Sequence, residues 1–392
     1  MLNDRQIAGV RAWRPQAALL LLLSYFGLFG VIIGAQGVLW AEVVRALGLT
    51  KTVFGVVQLV SPLLSFGLLL FSGQIDRRFG KKRIALVGLA LLAVSQIGIA
   101  RAGGLPLLVG ALLLSGAGNG LLETAMNSAT PDWERAMRRS VMNSMHAGFS
   151  AGAVAGAFGA GVLLGLGWSY ERVLLSLMLL LALSFVATFP IAYPPPDTLP
   201  AHDEPAGAAS LRLLARRPGL LALAGLSLLG VVGESVANLW SVIYLHELGA
   251  EAILGGAAFA LFNMAMLAGR LLNAPLVSRY GSRASLLVSG AGVALAAALL
   301  LLPGGVPLAV LSFVLLGLAV AGVVPTVLSA AARLVPGHSG AITGAIMAVA
   351  YSGFIVIPPL TGWLADLFSL QIALVSVGLS GLAILWLARG VK

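Results

Sequence analysis

Twelve apolar runs, each about as long as a helix that crosses a lipid bilayer, dominate the chain. Such a helix needs about 20 mostly apolar residues, whereas the strands of a membrane barrel are shorter and alternate strictly. Only 10% of the 392 residues are charged and 59% are hydrophobic, which is more apolar surface than a soluble protein of this length could bury. The sequence therefore predicts an all-α integral membrane protein with twelve transmembrane helices. We place them at residues 15–41, 52–72, 84–101, 105–129, 139–166, 171–192, 218–245, 252–276, 284–302, 306–332, 339–364 and 369–388.

The basic residues indicate which side of the membrane each connection faces. Arginine and lysine concentrate before the first run and in every second connection, and few stand in the other connections. Because cytoplasmic loops carry the excess of basic residues, we predict a multi-pass protein of the cell (inner) membrane with both termini cytoplasmic. This topology explains the net charge of +10, so we expect no nucleic-acid partner. The first run is as long as a full span, so we also expect no cleavable signal peptide.

One long polar, proline-rich connection divides the chain into two sets of six runs. Its composition is typical of an exposed linker. The predicted domains are an N-terminal six-helix bundle at residues 1–191, a cytoplasmic linker at residues 192–217 and a C-terminal six-helix bundle at residues 218–392.

The two halves repeat each other at a constant shift of 201 residues. The segment "GQIDRRFGKKR" at residues 73–83 falls on "APLVSRYGSRA" at residues 274–284. One shift that holds across several runs indicates an ancient duplication, and it predicts two pseudo-symmetric bundles related by an axis along the membrane normal. The pairs that coincide include Arg78 with Arg279, Phe79 with Tyr280, and Gly80 with Gly281.

The segment between the second and third runs resembles the signature of the major facilitator superfamily, which has a glycine, an acid and a basic cluster around a second glycine. With the duplicated twelve-span plan, the resemblance covers the whole chain and implies alternating access, in which two bundles rock around a central cavity. Asp76 stands one residue before the family's usual acid position, which Arg77 occupies. The resemblance implies a role in conformational gating for Gly73, Asp76, Arg77, Arg78, Gly80, Arg279 and Gly281.

A narrower resemblance lies in the fourth and fifth runs. "LETAMN" at residues 122–127 and "NSMHAGFSAGAVAGAFG" at residues 143–159 are similar to the corresponding spans of the fucose:proton symporter family. In that family a glutamate takes part in proton coupling and sugar binding, and a polar residue of span five contacts the sugar. The resemblance implies these roles for Glu123 and His146. The family's aspartate in span one is absent here, and Gln36 is the polar residue of that region.

Two carboxyl groups, Glu123 and Glu234, lie clearly inside predicted spans. A charged side chain at membrane depth costs at least about 2.5 kcal/mol, so each is a candidate for function. Glu123 and His146 lie on adjacent spans and could form a pair that takes up and releases protons, and we predict Glu123, His146 and Glu234 as proton-coupling residues. The alternatives are that Glu123 is a permanently paired packing group and that His146 is an interhelical hydrogen-bonding residue.

Amide and aromatic side chains inside the spans are suited to a sugar. Amides can hydrogen-bond hydroxyl groups, and a ring can cover the apolar face of a pyranose. Asn119 and Asn127 stand one helical turn on either side of Glu123, which puts all three on one face. Tryptophan also gathers at membrane interfaces, which is the alternative for Trp40 and Trp240. The predicted substrate-binding residues are Gln36, Trp40, Asn119, Asn127, Asn143, Asn238, Trp240 and Tyr351.

No pattern for catalysis, nucleotide binding or metal binding is present in the sequence. There are no cysteines and the four histidines are scattered, so we expect no enzyme, cofactor or metal site. Without an ATP site, accumulation of a solute needs an ion gradient, and the internal carboxyl groups favour protons. We predict a monomeric proton-coupled symporter for a sugar or similar small polar solute. The alternatives are a proton-coupled efflux antiporter for drugs or metabolites, a lipid transporter and a non-transporting sensor.

Overall fold

The computed structural model describes residues 13–194, 214–334 and 339–391, and every regular element in them is helical. The helices of the first half are α1 Pro15–Leu47, α2 Lys51–Val57, α3 Val60–Leu70, α4 Ser72–Phe79, α5 Lys81–Ala100, α6 Leu105–Met137, α7 Met142–Gly165 and α8 Tyr170–Thr188. Those of the second half are α9 Pro218–Glu247, α10 Ala252–Leu299, α11 Gly305–Val320, α12 Val323–Leu334, α13 Ser339–Leu367, α14 Leu370–Val375 and α15 Val377–Ala388.

The helical stretches confirm the all-helical membrane class. Eleven stretches of the described residues are long and apolar enough to cross a membrane. One of them, α10, has 48 residues and is interrupted by Gly281, whose φ of 84° and ψ of 169° are not helical. Its two parts correspond to the eighth and ninth predicted spans, which accounts for the difference between eleven and twelve.

Two predicted spans are each divided into two helices. The second span consists of α2 and α3, and the tenth consists of α11 and α12. Pro62 and Pro325 stand four residues after Gln58 and Ala321, the positions where these spans break. Because proline has no N–H, the carbonyls of Gln58 and Ala321 lack the partner that a continuous helix would supply. The sequence pattern predicted continuous spans, since the hydrophobic run continues through both breaks.

The described residues form two compact units. One takes in those of Met1–Leu47 and Val60–Pro200, and the other takes in those of Gly48–Leu59 and Ala201–Lys392. Most of the predicted linker at residues 192–217 lies outside the described residues. The short segment with α2 therefore belongs to the second unit, although the sequence places it in the first half.

Specific contacts dock α2 on the second unit. The carboxylate of Asp366 at the end of α13 accepts hydrogen bonds from the backbone N–H of Lys51 at 3.1 Å and of Thr52 at 2.7 Å. These are the unpaired donors of a helix N-terminus, which a carboxylate satisfies well. The ring of Phe54 meets that of Trp240 edge to face at 5.5 Å, and both side chains are fully buried.

Close helix crossings inside the first unit recur at equivalent positions inside the second, which supports the internal duplication. Glycine lets two helix backbones approach because it has no Cβ. Two crossings of the first unit recur in the second at the shift of 201 residues. The contact of Gly116 with Ser61 in the first unit recurs as that of Gly317 with Phe262 in the second. The contact of Gly152 with Gly27 recurs as that of Gly353 with Leu228.

A substitution at Gly152 tests the tightest of these crossings. A Cβ at Gly152 would clash with the carbonyl oxygen of Gly27 on α1, whereas a Cβ at Gly159 on the same helix would meet no atom within 4 Å. We expect Gly152→Ala to cost about 1–3 kcal/mol through overpacking, seen as a lower unfolding temperature in detergent. Gly159→Ala is the matched control and should leave that temperature unchanged or raise it. Equal behaviour of the two variants would contradict the close packing of α1 and α7.

Candidate functional site

The polar face of α6 carries the mid-span carboxyl group of the first unit. Glu123 is half-buried, and within the described residues its carboxylate accepts no hydrogen bond and forms no ion pair. One turn earlier, the Oδ1 atom of Asn119 is buried without a hydrogen-bond partner. Asn127, one turn later, is half-buried. The sequence predicted this stripe of three residues. The carboxylate of Glu123 and the Oδ1 of Asn119 have hydrogen-bonding capacity that a solute could use.

The polar residue of the first span is fixed by a neighbouring helix. Gln36 on α1 is 8% exposed, and its Nε2 donates a 3.5 Å hydrogen bond to the Oε1 of Gln96 on α5. Gln96 is fully buried, and its contact with Gln36 was not predicted from the sequence. Trp40, one turn after Gln36, is 7% exposed. The hydrogen bond between the two amides therefore holds the side chain of Gln36 against α5. That Gln36 binds substrate stays a prediction.

The predicted partner of Glu123 lies on α7. The imidazole of His146 is exposed and meets the buried ring of Phe26 on α1 edge to face, with centroids 5.4 Å apart. The side chain of Asn143 lies outside what the structure describes. Proton exchange between Glu123 and His146 is untested and stays a prediction.

The mid-span carboxyl group of the second unit has a charged neighbour. Glu234 on α9 is half-buried and interacts electrostatically with the guanidinium of Arg270 on α10. Asn238, one turn after Glu234, is half-buried as well. The two mid-span acids thus differ, because Glu234 lies within electrostatic range of the guanidinium of Arg270 and Glu123 has no such cation among the described residues.

The predicted aromatic residues of the second unit occupy different surroundings. Trp240 is fully buried, and its indole N–H has no hydrogen-bond acceptor within the described residues. Tyr351 on α13 is 44% exposed, and its ring lies 6.1 Å from that of Phe354. Tyr351 is thus exposed, whereas the side chain of Trp240 could reach a solute only after a local rearrangement.

The signature segment and its repeat have the same local geometry. Gly80 separates α4 from α5 and has a φ of 79°, and Gly281 interrupts α10 with a φ of 84°. A positive φ favours glycine, since other residues would be strained there. The guanidinium of Arg78 lies over the ring of Phe79, and that of Arg279 lies over the ring of Tyr280. The duplicated turn therefore has a conformational reason for the glycine that recurs in both halves.

An ion cluster holds the signature segment of the first unit. Asp132 near the end of α6 pairs with Lys81 and with Arg135, and Lys81 also lies 3.6 Å from the carboxylate of Asp76. Asp132 is 2% exposed. Sequence reasoning named Asp76 but missed Asp132, although a second acid beside the basic residues of the next connection was a visible signal.

The described residues contain no group of three or more histidine, cysteine, aspartate or glutamate side chains that could hold a metal ion. The candidate site residues described above offer amide, carboxyl, imidazole and aromatic side chains. Such groups can bind a small polar solute and carry a proton, and neither activity needs a bound metal.

Comparison with known proteins gives one consistent result. The model of the Major Facilitator Superfamily matches residues 17–356, and a second match covers residues 235–391. The uncharacterized transporter y4wD of Sinorhizobium fredii is 30% identical over 391 residues, which cover 97% of this chain and 98% of that protein.

Solved structures agree in fold. A crystal structure of the nucleoside transporter NupG superposes with a TM-score of 0.81 at 13% identity, over 96% of this chain and 98% of that chain. The fucose:proton symporter FucP of E. coli superposes with a TM-score of 0.58 at 18% identity, over 95% of this chain and 98% of that chain. With the family match over most of its length, the duplicated helical plan and the signature turn, this chain belongs to the Major Facilitator Superfamily.

Proposed function

We propose that this protein is a proton-coupled symporter for a sugar or similar small polar solute and that it works by alternating access. The observation that carries the proposal is the lone carboxyl group of Glu123 in the middle of α6. A carboxylate at that depth is costly unless a cation or a proton neutralises it. Because the described residues supply no cation to Glu123, a transported proton is a suitable neutralising partner.

The other residues of the polar faces have supporting roles in this proposal. His146 passes the proton to or from Glu123, and Glu234 is a second proton-accepting group whose charge Arg270 moderates. The substrate ligands are Gln36, Trp40, Asn119, Asn127 and Asn143 in the first half and Asn238, Trp240 and Tyr351 in the second. Gly73, Asp76, Arg77, Arg78 and Gly80, with Arg279 and Gly281, set the conformational equilibrium.

The neighbours in fold support a polar solute without choosing one. NupG is a nucleoside transporter and FucP is a fucose:proton symporter. Nucleosides and fucose are both hydroxyl-rich molecules, which suit amide and carboxyl ligands. The likeness in fold does not select the fucose branch, so that assignment rests on the "LETAMN" and "NSMHAGF" segments.

A second candidate is a proton-coupled efflux antiporter. The lack of a cation beside Glu123 in the described residues supports an antiporter equally well, because a cationic solute could neutralise the carboxylate in place of the proton. Proton and solute would then compete for one site, which is the requirement for exchange. The two candidates differ in the direction in which the proton gradient drives the solute.

We propose that the protein lies in the cell (inner) membrane as a monomer with both termini cytoplasmic. The basic connections support this orientation by the positive-inside rule. A cysteine introduced into the linker at residues 192–217 would report the side directly, since the chain has no native cysteine.

Uptake into proteoliposomes tests the function. The purified protein is reconstituted, a pH gradient that is acidic outside is imposed, and hexoses, deoxyhexoses, nucleosides and amphipathic cations are screened. We expect accumulation of at least one hydroxyl-rich solute that collapses when a protonophore is added. Gradient-driven expulsion of a cation would favour the antiporter, and no gradient-dependent movement of any solute would contradict both candidates.

A further inference from the structure

The two halves differ in charge around Gly80 and around its equivalent, Gly281. In the first unit acidic residues stand among the basic ones there. The equivalents of Asp76, Asp132 and Glu134 in the second half are Val277, Arg333 and Val335. The equivalents of Arg78 and Lys82 are Arg279 and Arg283. The second half has none of the three carboxyl groups and keeps these two basic positions. Neutral residues stand at the equivalents of Arg77, Lys81, Arg83, Arg135, Arg138 and Arg139.

One equivalent pair of positions is in contact in both units, with opposite chemistry. The ammonium of Lys81 pairs with the carboxylate of Asp132 in the first unit. In the second, Nη2 of Arg333 donates a 2.7 Å hydrogen bond to the hydroxyl of Ser282. Within the described residues Arg333 forms no ion pair. A guanidinium has five N–H donors, so most of those of exposed Arg333 are available to an anion.

Further arginines stand near Arg333. They lie at the ends of helices that meet around one apolar cluster, which includes Leu220, Leu286, Ala331 and Ala388. We name these arginines the basic end, and all of them are exposed. The basic end consists of Arg216, Arg217, Arg279, Arg283, Arg333 and Arg389.

The carboxyl groups of the second unit stand elsewhere. Glu247 and Asp366 contact Lys51, at the end of α9 that is opposite to Arg217. Glu251 stands at the N-terminal end of α10, after the loop that follows Glu247, and Glu234 lies in the middle of α9. Within the described residues of the second unit, the basic end therefore has no carboxylate to neutralise its positive charge.

We propose that the basic end binds the headgroup of an anionic phospholipid, with Arg283 and Arg333 as the main ligands of its phosphate. The planar guanidinium forms paired hydrogen bonds with phosphate oxygens. Arg283 directly follows Ser282, whose hydroxyl accepts the hydrogen bond of Arg333, and the side chains of both arginines are exposed. In the first unit the carboxylate of Asp132 pairs with Lys81 at the equivalent contact, whereas in the second unit Arg333 takes its anion from the membrane.

Native mass spectrometry of the full-length protein tests the proposal, with phosphatidylglycerol and phosphatidylcholine as the two probes. We expect tighter binding of phosphatidylglycerol by the wild type. Each arginine near an anionic surface contributes about fivefold to affinity, so Arg283→Gln with Arg333→Gln should lose about 25-fold. Val277→Asp, which restores an acid of the first half and removes no contact of an arginine, should also reduce the preference.

A matched control removes a charge that is already compensated. Arg45 pairs with Glu42 near the end of α1, so Arg45→Gln should bind phosphatidylglycerol as the wild type does. Equal affinity of the wild type for both lipids, or a preference that survives in the double variant and in Val277→Asp, would overturn the proposal. A third outcome would also overturn the proposal: the protein prefers phosphatidylglycerol only when Asp197, Asp203 and Glu204 of the linker are replaced by neutral residues. The acidic linker, and not a lipid, would then bind the basic end of the wild type.

Discussion

Glu123→Gln is expected to abolish the accumulation of solute that a proton gradient drives, while solute exchange across the membrane continues. Glutamine keeps the size and hydrogen-bonding capacity of the protonated acid, but it cannot release a proton. An imposed gradient of about one pH unit supplies about 1.4 kcal/mol per proton, enough for about tenfold accumulation. In the variant the ratio of internal to external solute should fall from about ten to about one.

The measurement compares gradient-driven uptake with counterflow in the same proteoliposomes. Counterflow needs the alternation of the loaded carrier and no net proton movement, so it reports whether the variant still binds and carries the solute. Glu234→Gln is the comparison variant, because Glu234 is the second proposed proton-accepting group and lies within electrostatic range of Arg270. We expect Glu234→Gln to accumulate solute to a higher ratio than Glu123→Gln. Undiminished accumulation in Glu123→Gln would remove Glu123 from the coupling mechanism.

The largest loss of stability is expected for Asp132→Ala. The side chain of Asp132 is 2% exposed and lies between Lys81 and Arg135, and that of Lys81 is 15% exposed. Removing Asp132 leaves Lys81 with Asp76, 3.6 Å away, as its remaining carboxylate neighbour. The loss should therefore be about 3 kcal/mol, the lower end of the range for a broken buried pair. The cost should be measured as the free energy of unfolding in detergent.

Two further variants show whether the loss of stability comes from the charge of Lys81 that has lost its partner Asp132. Asp76 is 20% exposed and 3.6 Å from Lys81, so Asp76→Asn should cost no more than about 1 kcal/mol. Replacing both partners, as Lys81→Met with Asp132→Leu, should recover about 2 kcal/mol or more relative to Asp132→Ala. The explanation fails if Asp132→Ala is no less stable than Asp76→Asn.

The apolar runs predicted the number and the order of the spans, because bilayer thickness imposes the same length on every helix. They could not predict where helices break. Pro62 and Pro325 accompany breaks, but Pro131, Pro275, Pro358 and Pro359 lie inside continuous helices. Whether proline interrupts a helix depends on how neighbouring groups satisfy the freed carbonyl, which is a tertiary property.

The polar stripe around Glu123 was predictable because its spacing follows the turn of a helix. The partners of the candidate residues were not, since they come from distant parts of the chain. Gln96 lies 60 residues from Gln36, and Asp366 lies 314 residues from Thr52. The duplication was visible as a constant shift, yet only the structure shows that the positions of Lys81 and Asp132 meet again as Ser282 and Arg333.

Proton movement induced by solute tests most directly whether Glu123 couples the two fluxes. Proteoliposomes at equal internal and external pH receive an excess of the solute identified by uptake, and a trapped dye records the internal pH. We predict that the interior acidifies with the wild type and that Glu123→Gln equilibrates the same solute without any change of pH. Entry of the solute through the wild type at constant internal pH, or equal acidification with Glu123→Gln, would contradict this mechanism.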